Sequence, residues 1–327
     1  MKKMQKIVSV MLIASMAGGM VSCGGNSRPT TDGGLTGNIS LSGAFALYPL
    51  AVKWADEFQK QNPGVRIDLS AGGAGKGMTD ALAGVVDFGM VSREIYPREI
   101  EQGAVPFAVA KDAVVATFNS NNPVADLIMK HGITRDDATK IWITGEAKTW
   151  GDVLGTDDTT PLRVYTRSDA CGAAETWAKW FGKRQEDLGG TAVFGDPGVA
   201  AAVQKDIYGV GLNNIGYVYD NETHLPNPNI LVVPIDADED GVISPDEDFY
   251  ATKDSLITAI SLGKFPSPPA RDLYLVSKGV PTDPAVIAFL EYILSDEGQK
   301  ENTPVGYIDI SAETRNEALQ LLQSPEK

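Results

Sequence analysis

The stretch ISLSGAFALYPL at residues 39–50 decides the fold, because it joins a strand pattern to a helix pattern through a turn of small residues. The alternating apolar residues of Ile39–Ser42 predict a short strand that ends at Gly43. The spacing of the apolar residues that follow predicts a helix over Pro49–Gln61, and Pro63 ends it. A strand that leads directly into a helix is typical of α/β domains.

The next residues repeat this order of elements. Val65–Ser70 alternates as a strand, the glycine-rich turn 71–77 leads into an apolar helix over Met78–Ala83, and Val85–Met90 predicts a third strand. The resulting β-α-β-α-β order with short turns predicts an α/β domain with a mostly parallel sheet.

The second half of the chain follows the same plan. Leu162–Thr166 predicts a strand, the turn 167–172 follows it, and Ala173–Phe181 predicts a helix. Ile215–Tyr219 and Leu231–Ile235 are strand-like. No repeat with a short fixed period is present in the sequence, which argues against a solenoid.

Composition narrows the class of protein. The 327 residues include 28 Lys and Arg and 43 Asp and Glu, a formal net charge of −15, and 43% are hydrophobic. These values are ordinary for a soluble globular protein, and the acidic balance argues against a nucleic-acid partner. Net charge governs the electrostatic potential far from the protein and the rate of encounter with charged ligands. Whether an anion binds is decided by the hydrogen-bond donors at the site itself.

The first residues have the pattern of a secretory signal peptide. Lys2, Lys3 and Lys6 precede an apolar run that is too short to span a bilayer, so we expect residues 1–22 to be removed. The ending Met-Val-Ser-Cys, with Cys23 at the expected cleavage point, resembles the bacterial lipobox. The alternative is an ordinary signal peptide with an incidental cysteine.

Lipidation at Cys23 would place the protein on the extracytoplasmic face of a bacterial membrane. Residues 23–36 are rich in Gly, Ser, Thr and Asn, which is typical of a flexible tether between the lipid and the domain. Acylation of Cys23 would leave Cys171 without a disulfide partner.

Three turns of small residues follow predicted strands and precede predicted helices. They lie at residues 42–45, 73–77 and 170–174. Free N–H groups and the helix dipole make a helix start a local anion site, and small residues allow a ligand to approach the backbone. Arg93 and Arg167 each lie at a predicted strand end, where ligands bind in α/β sheets. Tight strand–helix packing would explain any single turn.

The turns lack the motifs of common enzymes. The glycine-rich turn at residues 73–77 has no Gly-Lys-Ser/Thr ending and is not a P-loop. Ser92 is not in a nucleophile elbow, and the two histidines, His131 and His224, lie in polar stretches. Cys171 could pair with a distant histidine as a nucleophile, but a lone cysteine in a Gly/Ala turn is more often a packing residue.

The turns and their spacing resemble the phosphate-binding proteins of bacterial phosphate ABC transporters. The resemblance lies in the stretch 42–50, the Asp-Phe-Gly at residues 87–89 with Ser92 and Arg93, and the turn that begins at Arg167. It implies a two-lobed periplasmic binding protein fold of type II, with helices on both faces of its sheets. Lobe 1 would comprise 37–113 plus 270–322, and lobe 2 would comprise 114–269.

The resemblance also implies the ligand site and the partners. The ligand would be phosphate or another small anion, and the partner would be an ABC permease. The residues that match the family's binding turns are Ser42, Ala44, Phe45, Gly75, Lys76, Ser92, Arg93, Arg167, Cys171, Gly172 and Ala173.

Several hydroxyl donors of the family are absent from this set. Ala44, Gly75 and Ala173 offer none, and Cys171 offers a thiol, so backbone N–H groups would have to supply hydrogen bonds. The ligand is therefore phosphate held by a changed donor set, another oxyanion or a larger acidic solute. No catalytic residue is expected. The alternatives are an enzyme that acts on a phosphorylated or acidic substrate in the same cleft, and a sensor or adhesion protein with this fold.

A second motif, DADEDGVISPDE at residues 236–247, matches the calcium loop of an EF-hand over its full length. Gly241 would allow the sharp turn, and Ile243 would pin the loop to the core. The expected calcium ligands are Asp236, Asp238, Asp240, the carbonyl of Val242, Ser244 and Glu247. A strand-like run precedes the loop in place of an entering helix, so we expect a structural Ca²⁺ that braces an insertion in lobe 2. A solvated acidic turn is the alternative.

Overall fold

The computed structural model describes residues 34–323. The predicted signal peptide 1–22, Cys23 and most of the tether 23–36 lie outside the described residues. Among the helices of the described part, none has the length and apolar character needed to cross a membrane.

The described chain contains both strands and helices. The strands are β1 (Thr36–Gly43), β2 (Gly64–Ala71), β3 (Phe88–Val91), β4 (Ala104–Phe118), β5 (Arg163–Arg167), β6 (Thr191–Val193), β7 (Gly209–Asn214), β8 (Leu231–Val232) and β9 (Ala270–Lys278). The helices are α1 (Tyr48–Gln61), α2 (Ala74–Leu82), α3 (Pro97–Glu101), α4 (Ala125–His131), α5 (Arg135–Trp142), α6 (Trp150–Leu154), α7 (Gly172–Trp180), α8 (Gly195–Lys205), α9 (Lys253–Ser261), α10 (Pro284–Leu294), α11 (Asp296–Gln299) and α12 (Ala312–Gln323).

The strands form one curled mixed sheet with the order β2-β1-β3-β9-β4-β7-β5-β6, and β8 pairs with β4. Pairing is parallel between β1 and its neighbours β2 and β3, and between β5 and its neighbours β6 and β7. The pairs that involve β4 or β9 are antiparallel. The predicted α/β class is therefore confirmed, but the sheet is mixed where a mostly parallel one was predicted. The reason is that β4 and β9, which join the lobes, run against their neighbours.

Two hydrophobic cores define two lobes. The lobe 1 core includes Trp54, Phe88 and Phe289, and the lobe 2 core includes Trp142 and Trp177. The long strand β4 contributes to both cores, because its first part pairs with β9 and its last part pairs with β7. The exact lobe boundaries, 37–113 plus 270–322 and 114–269, stay a prediction.

Three predicted elements differ from the structure. Ile215–Tyr217 is a 3₁₀ turn instead of a strand, and the strand is the preceding β7, whose six residues are all buried. Two glycines weaken the strand pattern of β7, and packing between β4 and β5 compensates for them. The strand predicted at Leu231–Ile235 shortens to β8. Helix α2 begins at Ala74, four residues earlier than predicted.

Candidate functional site

The turns from the two lobes meet at the ends of the central strands. The N–H of Gly75, in the first turn of α2, donates to the carbonyl oxygen of Ala170, 3.1 Å away. Gly172, at the start of α7, packs against Ser92, which follows β3. A Cβ atom on Gly172 would lie only 2.1 Å from the Ser92 carbonyl oxygen, so glycine is required for this approach. The predicted turns of lobe 1 and lobe 2 therefore touch, as they would in a closed binding protein.

Arg167, the last residue of β5, lies at the centre of this junction with its side chain fully buried. Its Nε and Nη2 atoms donate to the two carboxylate oxygens of Asp169 at 2.9 and 2.6 Å. Its Nη1 atom donates to Oδ2 of Asp196 in the first turn of α8 at 2.5 Å. Its guanidinium carbon lies 5.7 Å from the centre of the Phe45 ring.

The surrounding charges keep Arg167 ionised. Burial opposes its charge, but the carboxylates of Asp196 and Asp169 outweigh this, and the pKa of Arg167 is raised. Burial likewise disfavours a charged Asp169, yet the hydrogen bonds from Arg167 hold the pKa of Asp169 below its ordinary value. A guanidinium has five N–H donors, so two remain after these three bonds. Arg167 can therefore donate to a ligand, but its positive charge is already compensated by two carboxylates.

Backbone N–H groups add further donors next to Arg167. Within residues 34–323, no acceptor pairs with the N–H groups of Phe45, Gly172 and Ala173. Gly172 and Ala173 begin the nine-residue helix α7, whose dipole favours an anion at that end. Ala44 was predicted to donate as well, but its N–H bonds the carbonyl oxygen of Met90 at 2.9 Å. This N–H is therefore not available to a ligand, because Ala44 directly follows β1 and bonds to the neighbouring strand β3.

The other predicted ligand contacts of lobe 1 have partners within that lobe. Ser42 donates its hydroxyl to Asp80 at 2.6 Å, and Lys76 forms an ion pair with the same carboxylate. Arg93 forms two hydrogen bonds with Glu99, at 3.0 and 2.7 Å. Each of these side chains thus has an acceptor within its own lobe in this structure, and its assignment as a ligand contact stays a prediction.

Cys171 has a structural role at the N-terminus of α7. Its Sγ atom accepts from the N–H of Ala174 at 3.4 Å, and its own N–H donates to Gln185. Burial raises the pKa of the thiol to about 12. A thiol that remains protonated near neutral pH is a poor nucleophile, which favours the packing interpretation of this cysteine.

Sequence reasoning missed three contributors to the junction. The first is Asp196, which accepts a hydrogen bond from Arg167. The second is Tyr217, whose hydroxyl donates to the Phe45 carbonyl oxygen at 2.9 Å. The third is Phe194, whose ring centre lies 5.8 Å from that of Phe45. An aspartate in the first turn of a helix is common without any ligand, so its position in the sequence carried no signal. The strand-like pattern around Tyr217 concealed the turn that orients its hydroxyl.

The acidic loop 236–247 is a separate cluster. One carboxylate oxygen from each of Asp236, Asp238 and Asp240 lies within 4.8 Å of the others. Glu247 accepts hydrogen bonds from the N–H and hydroxyl of Ser244 and from the N–H of Ala237. The three aspartates predicted as calcium ligands are therefore brought together, and the binding of Ca²⁺ by them stays a prediction.

Comparison with known proteins gives consistent matches. A family model described as a PBP superfamily domain matches residues 28–297. The chain is 26% identical over 310 residues to the phosphate-binding protein PstS of Pseudomonas aeruginosa, and the match covers 88% of each chain.

Solved structures match the fold as well. One is a Clostridium perfringens protein described as a phosphate ABC transporter substrate-binding protein with bound phosphate. It gives a TM-score of 0.69 at 23% identity and covers 84% of this chain and 100% of its own. An ABC-type phosphate transport receptor from Vibrio cholerae gives a TM-score of 0.60 at 19% identity. The match covers 83% of this chain and 100% of the receptor chain. These likenesses confirm the predicted two-lobed α/β fold.

Proposed function

Because the chain belongs to the PBP superfamily, as the match over residues 28–297 shows, we propose that it captures phosphate or a related oxyanion for an ABC importer. The phosphate-binding PstS of Pseudomonas aeruginosa supports the choice of ligand class, since it aligns over 88% of its length. Its role would be that of an extracytoplasmic solute-binding protein with an ABC permease as its partner.

One observation carries this proposal. Lobe 2 supplies the remaining N–H groups of Arg167 and those of Gly172 and Ala173, while lobe 1 supplies that of Phe45. Within residues 34–323 these backbone N–H groups have no acceptor. An oxyanion accepts hydrogen bonds from several directions, so it can bridge donors from both lobes. A ligand with few acceptor atoms would leave these buried donors unsatisfied.

The mechanism would be closure of the lobes around the anion. Strands β4 and β9 pass between the lobes and pair with each other, so they form the connection about which the lobes can move. A ligand that contacts both turns binds the closed form more tightly than the open form and shifts the population toward it. The permease would then recognise the closed form.

The donor set bears on ligand selectivity. Arg167 is compensated by Asp169 and Asp196, so attraction of a ligand depends on N–H donors and on the α7 dipole more than on uncompensated positive charge. We therefore propose phosphate as the ligand, and the experiment below compares it with other oxyanions. An enzyme in the same cleft has less support, because Cys171 is buried and its pKa is raised to about 12.

We further propose that Cys23 anchors the protein to a bacterial membrane by lipid and that residues 23–36 act as its tether. The support is the lipobox-like ending before Cys23 and the polar composition of the residues after it. This anchor would hold the binding lobes near the permease on the extracytoplasmic face.

The decisive experiment is isothermal titration calorimetry of residues 24–327 with phosphate, sulfate, molybdate, a phosphonate and a sugar phosphate. We expect binding of one phosphate per chain with the highest affinity in this series. Tighter binding of another anion would keep the binding-protein proposal and replace its ligand. No binding of any anion, by a protein that melts cooperatively, would overturn the proposal.

A further inference from the structure

The acidic loop at residues 236–247, hereafter the acidic loop, lies in lobe 2 and has no part in the anion site. We propose that it binds one Ca²⁺ through Asp236, Asp238 and Asp240. This inference does not depend on the proposed transport function.

The three carboxylates form an uncompensated cluster. Their closest oxygens lie within 4.8 Å of one another, and like charges at this distance repel. In the part of the chain that the structure describes, none of the three forms an ion pair with lysine or arginine. A lysine does pair with the acidic loop elsewhere, since Lys264 lies 3.0 Å from Oδ1 of Asp246. A bound cation would remove the repulsion.

Asp236 supplies the observation that separates this cluster from an ordinary acidic turn. It is only 2% exposed, and its Oδ2 atom accepts from the N–H of Gly241 at 2.8 Å. Its Oδ1 atom is buried and has no hydrogen-bond partner among the described residues. An unpaired buried carboxylate oxygen is costly, and a cation between Asp236, Asp238 and Asp240 would satisfy it.

The rest of the acidic loop fits calcium better than a smaller ion. Gly241 has a φ of +83°, which allows the sharp turn in the middle of the loop. Glu247 lies across the loop, since its Oε1 atom accepts from the N–H of Ala237 at 2.8 Å. By the sequence motif, the Val242 carbonyl, the Ser244 hydroxyl and Glu247 would join the three aspartates to supply the six to eight oxygens that Ca²⁺ takes, whereas Mg²⁺ demands a near-ideal octahedron and keeps its waters.

Contacts of the acidic loop indicate what the ion would stabilise. The N–H of Ile243 donates to the carbonyl oxygen of Lys130 at 2.8 Å, and the N–H of Asp236 donates to that of Ile133 at 3.0 Å. The ring of His131 contacts the Gly241 carbonyl oxygen at 2.7 Å. The acidic loop is thus attached to the last turn of α4 and to the residues that follow it, and ordering it by Ca²⁺ would stabilise lobe 2.

The test uses residues 24–327, treated with chelator and transferred to phosphate-free buffer. Extracellular calcium modules have dissociation constants of about 10⁻⁴–10⁻³ M, so the calorimetric titration with CaCl₂ covers this range. We expect one Ca²⁺ per chain, a rise in melting temperature with CaCl₂, and binding of MgCl₂ that is weaker by about tenfold or more. No heat, no retained metal in elemental analysis and no shift in melting temperature would overturn the proposal.

Matched variants test the ligand assignment. Asp238→Asn and Asp240→Asn change exposed carboxylates, so the fold should persist, and each should weaken Ca²⁺ binding about tenfold or more. Glu239→Gln removes the same charge from the acidic loop at a position between the ligands and should bind Ca²⁺ within about twofold of the unaltered chain. Equal losses in all three variants would indicate diffuse attraction of counter-ions and would overturn the site. If a variant fails to fold, the titration of the unaltered chain still decides whether the site exists.

Discussion

The backbone N–H of Gly75 donates a hydrogen bond to the carbonyl oxygen of Ala170, 3.1 Å away, and this bond joins the two lobes. Gly75 belongs to the first turn of α2 in lobe 1, and Ala170 belongs to the turn before α7 in lobe 2. In this structure the backbones of these two turns are in direct contact, with no side chain between them.

Replacement of Gly75 by valine should therefore hinder closure. A Cβ atom at this position would lie 2.9 Å from the Ala170 Cβ and 3.2 Å from its carbonyl oxygen. We expect Gly75→Val to weaken phosphate binding by about tenfold or more, or about 1.4 kcal/mol, in calorimetry. Ala83→Val, at the exposed C-terminal cap of the same helix, is the control and should bind normally. Equal affinities for the two variants would contradict the role of this contact.

Arg167 should be required for binding of the anion. Hydrogen bonds to a charged group contribute about 1.5–3 kcal/mol, so Arg167→Ala should weaken phosphate binding by about 10- to 100-fold. Arg163→Ala removes an exposed arginine from the same strand, β5, and should leave the affinity unchanged. Calorimetry of both variants checks this, and an unchanged affinity of Arg167→Ala would show that the site lies elsewhere.

The same arginine should stabilise the fold. Its loss leaves Asp169 and Asp196 as uncompensated buried charges, and breaking a buried pair in this way costs about 3–5 kcal/mol. We expect Arg167→Ala to lower the free energy of unfolding in urea more than Arg163→Ala does. In the background of Asp196→Asn the cost of Arg167→Ala should be smaller, and equal costs in the two backgrounds would show that the pair contributes nothing.

Cys171 should make the protein less stable at alkaline pH. Burial raises the pKa of its thiol to about 12, whereas an unfolded thiol ionises near about 8.5. Because the folded value is the higher one, this contribution to stability is complete below about pH 8.5 and is lost as the pH rises toward 12.

The measurement is urea unfolding of residues 24–327 and of Cys171→Ser, which replaces the thiol with a group that does not titrate in this range. The unaltered chain should lose more free energy of unfolding between pH 8 and pH 10 than the variant, because the buried tyrosines contribute equally to both. Parallel curves, or rapid reaction of Cys171 with a thiol reagent in the folded protein at pH 8, would contradict the buried, protonated state.

Cys23 should determine attachment to the membrane. We expect the full chain expressed in a bacterium to incorporate labelled palmitate and to sediment with membranes, and Cys23→Ser to do neither. Cys171→Ser removes the other cysteine of the chain and should keep both properties. Incorporation of the label into Cys23→Ser would place the lipid on another residue.

The sequence was sufficient for the α/β class and for the first elements because those signals are local. The strand and helix patterns on either side of Gly43 and Gly73 depend on neighbouring residues, and β1, β2 and α1 follow the predicted bounds within a few residues. Strand β7 was missed because its glycines and polar ends resemble a loop, and only packing between β4 and β5 buries it.

The site could be predicted only in outline. Sequence reasoning selected Arg167 and the turn before α7 and also assigned Ser42, Lys76 and Arg93 to the ligand site. Whether a donor is free depends on which acceptor the fold brings near it. In this structure Asp80 pairs with Ser42 and Lys76, and Glu99 pairs with Arg93. The pairing of Arg167 with Asp196 joins residues 29 positions apart, which no local pattern indicates.

The sequence by itself thus determined the α/β class, the order of the turns and the positions of the small residues that allow backbones to approach closely. These properties arise from backbone preferences and from the periodicity of apolar side chains, which act over a few residues. Among the described residues, the tertiary structure alone decided which charges are compensated, which N–H groups stay unpaired and that Oδ1 of Asp236 is buried without a partner. Those properties depend on distances between residues far apart in the chain, and such distances are set only when the two lobes have packed.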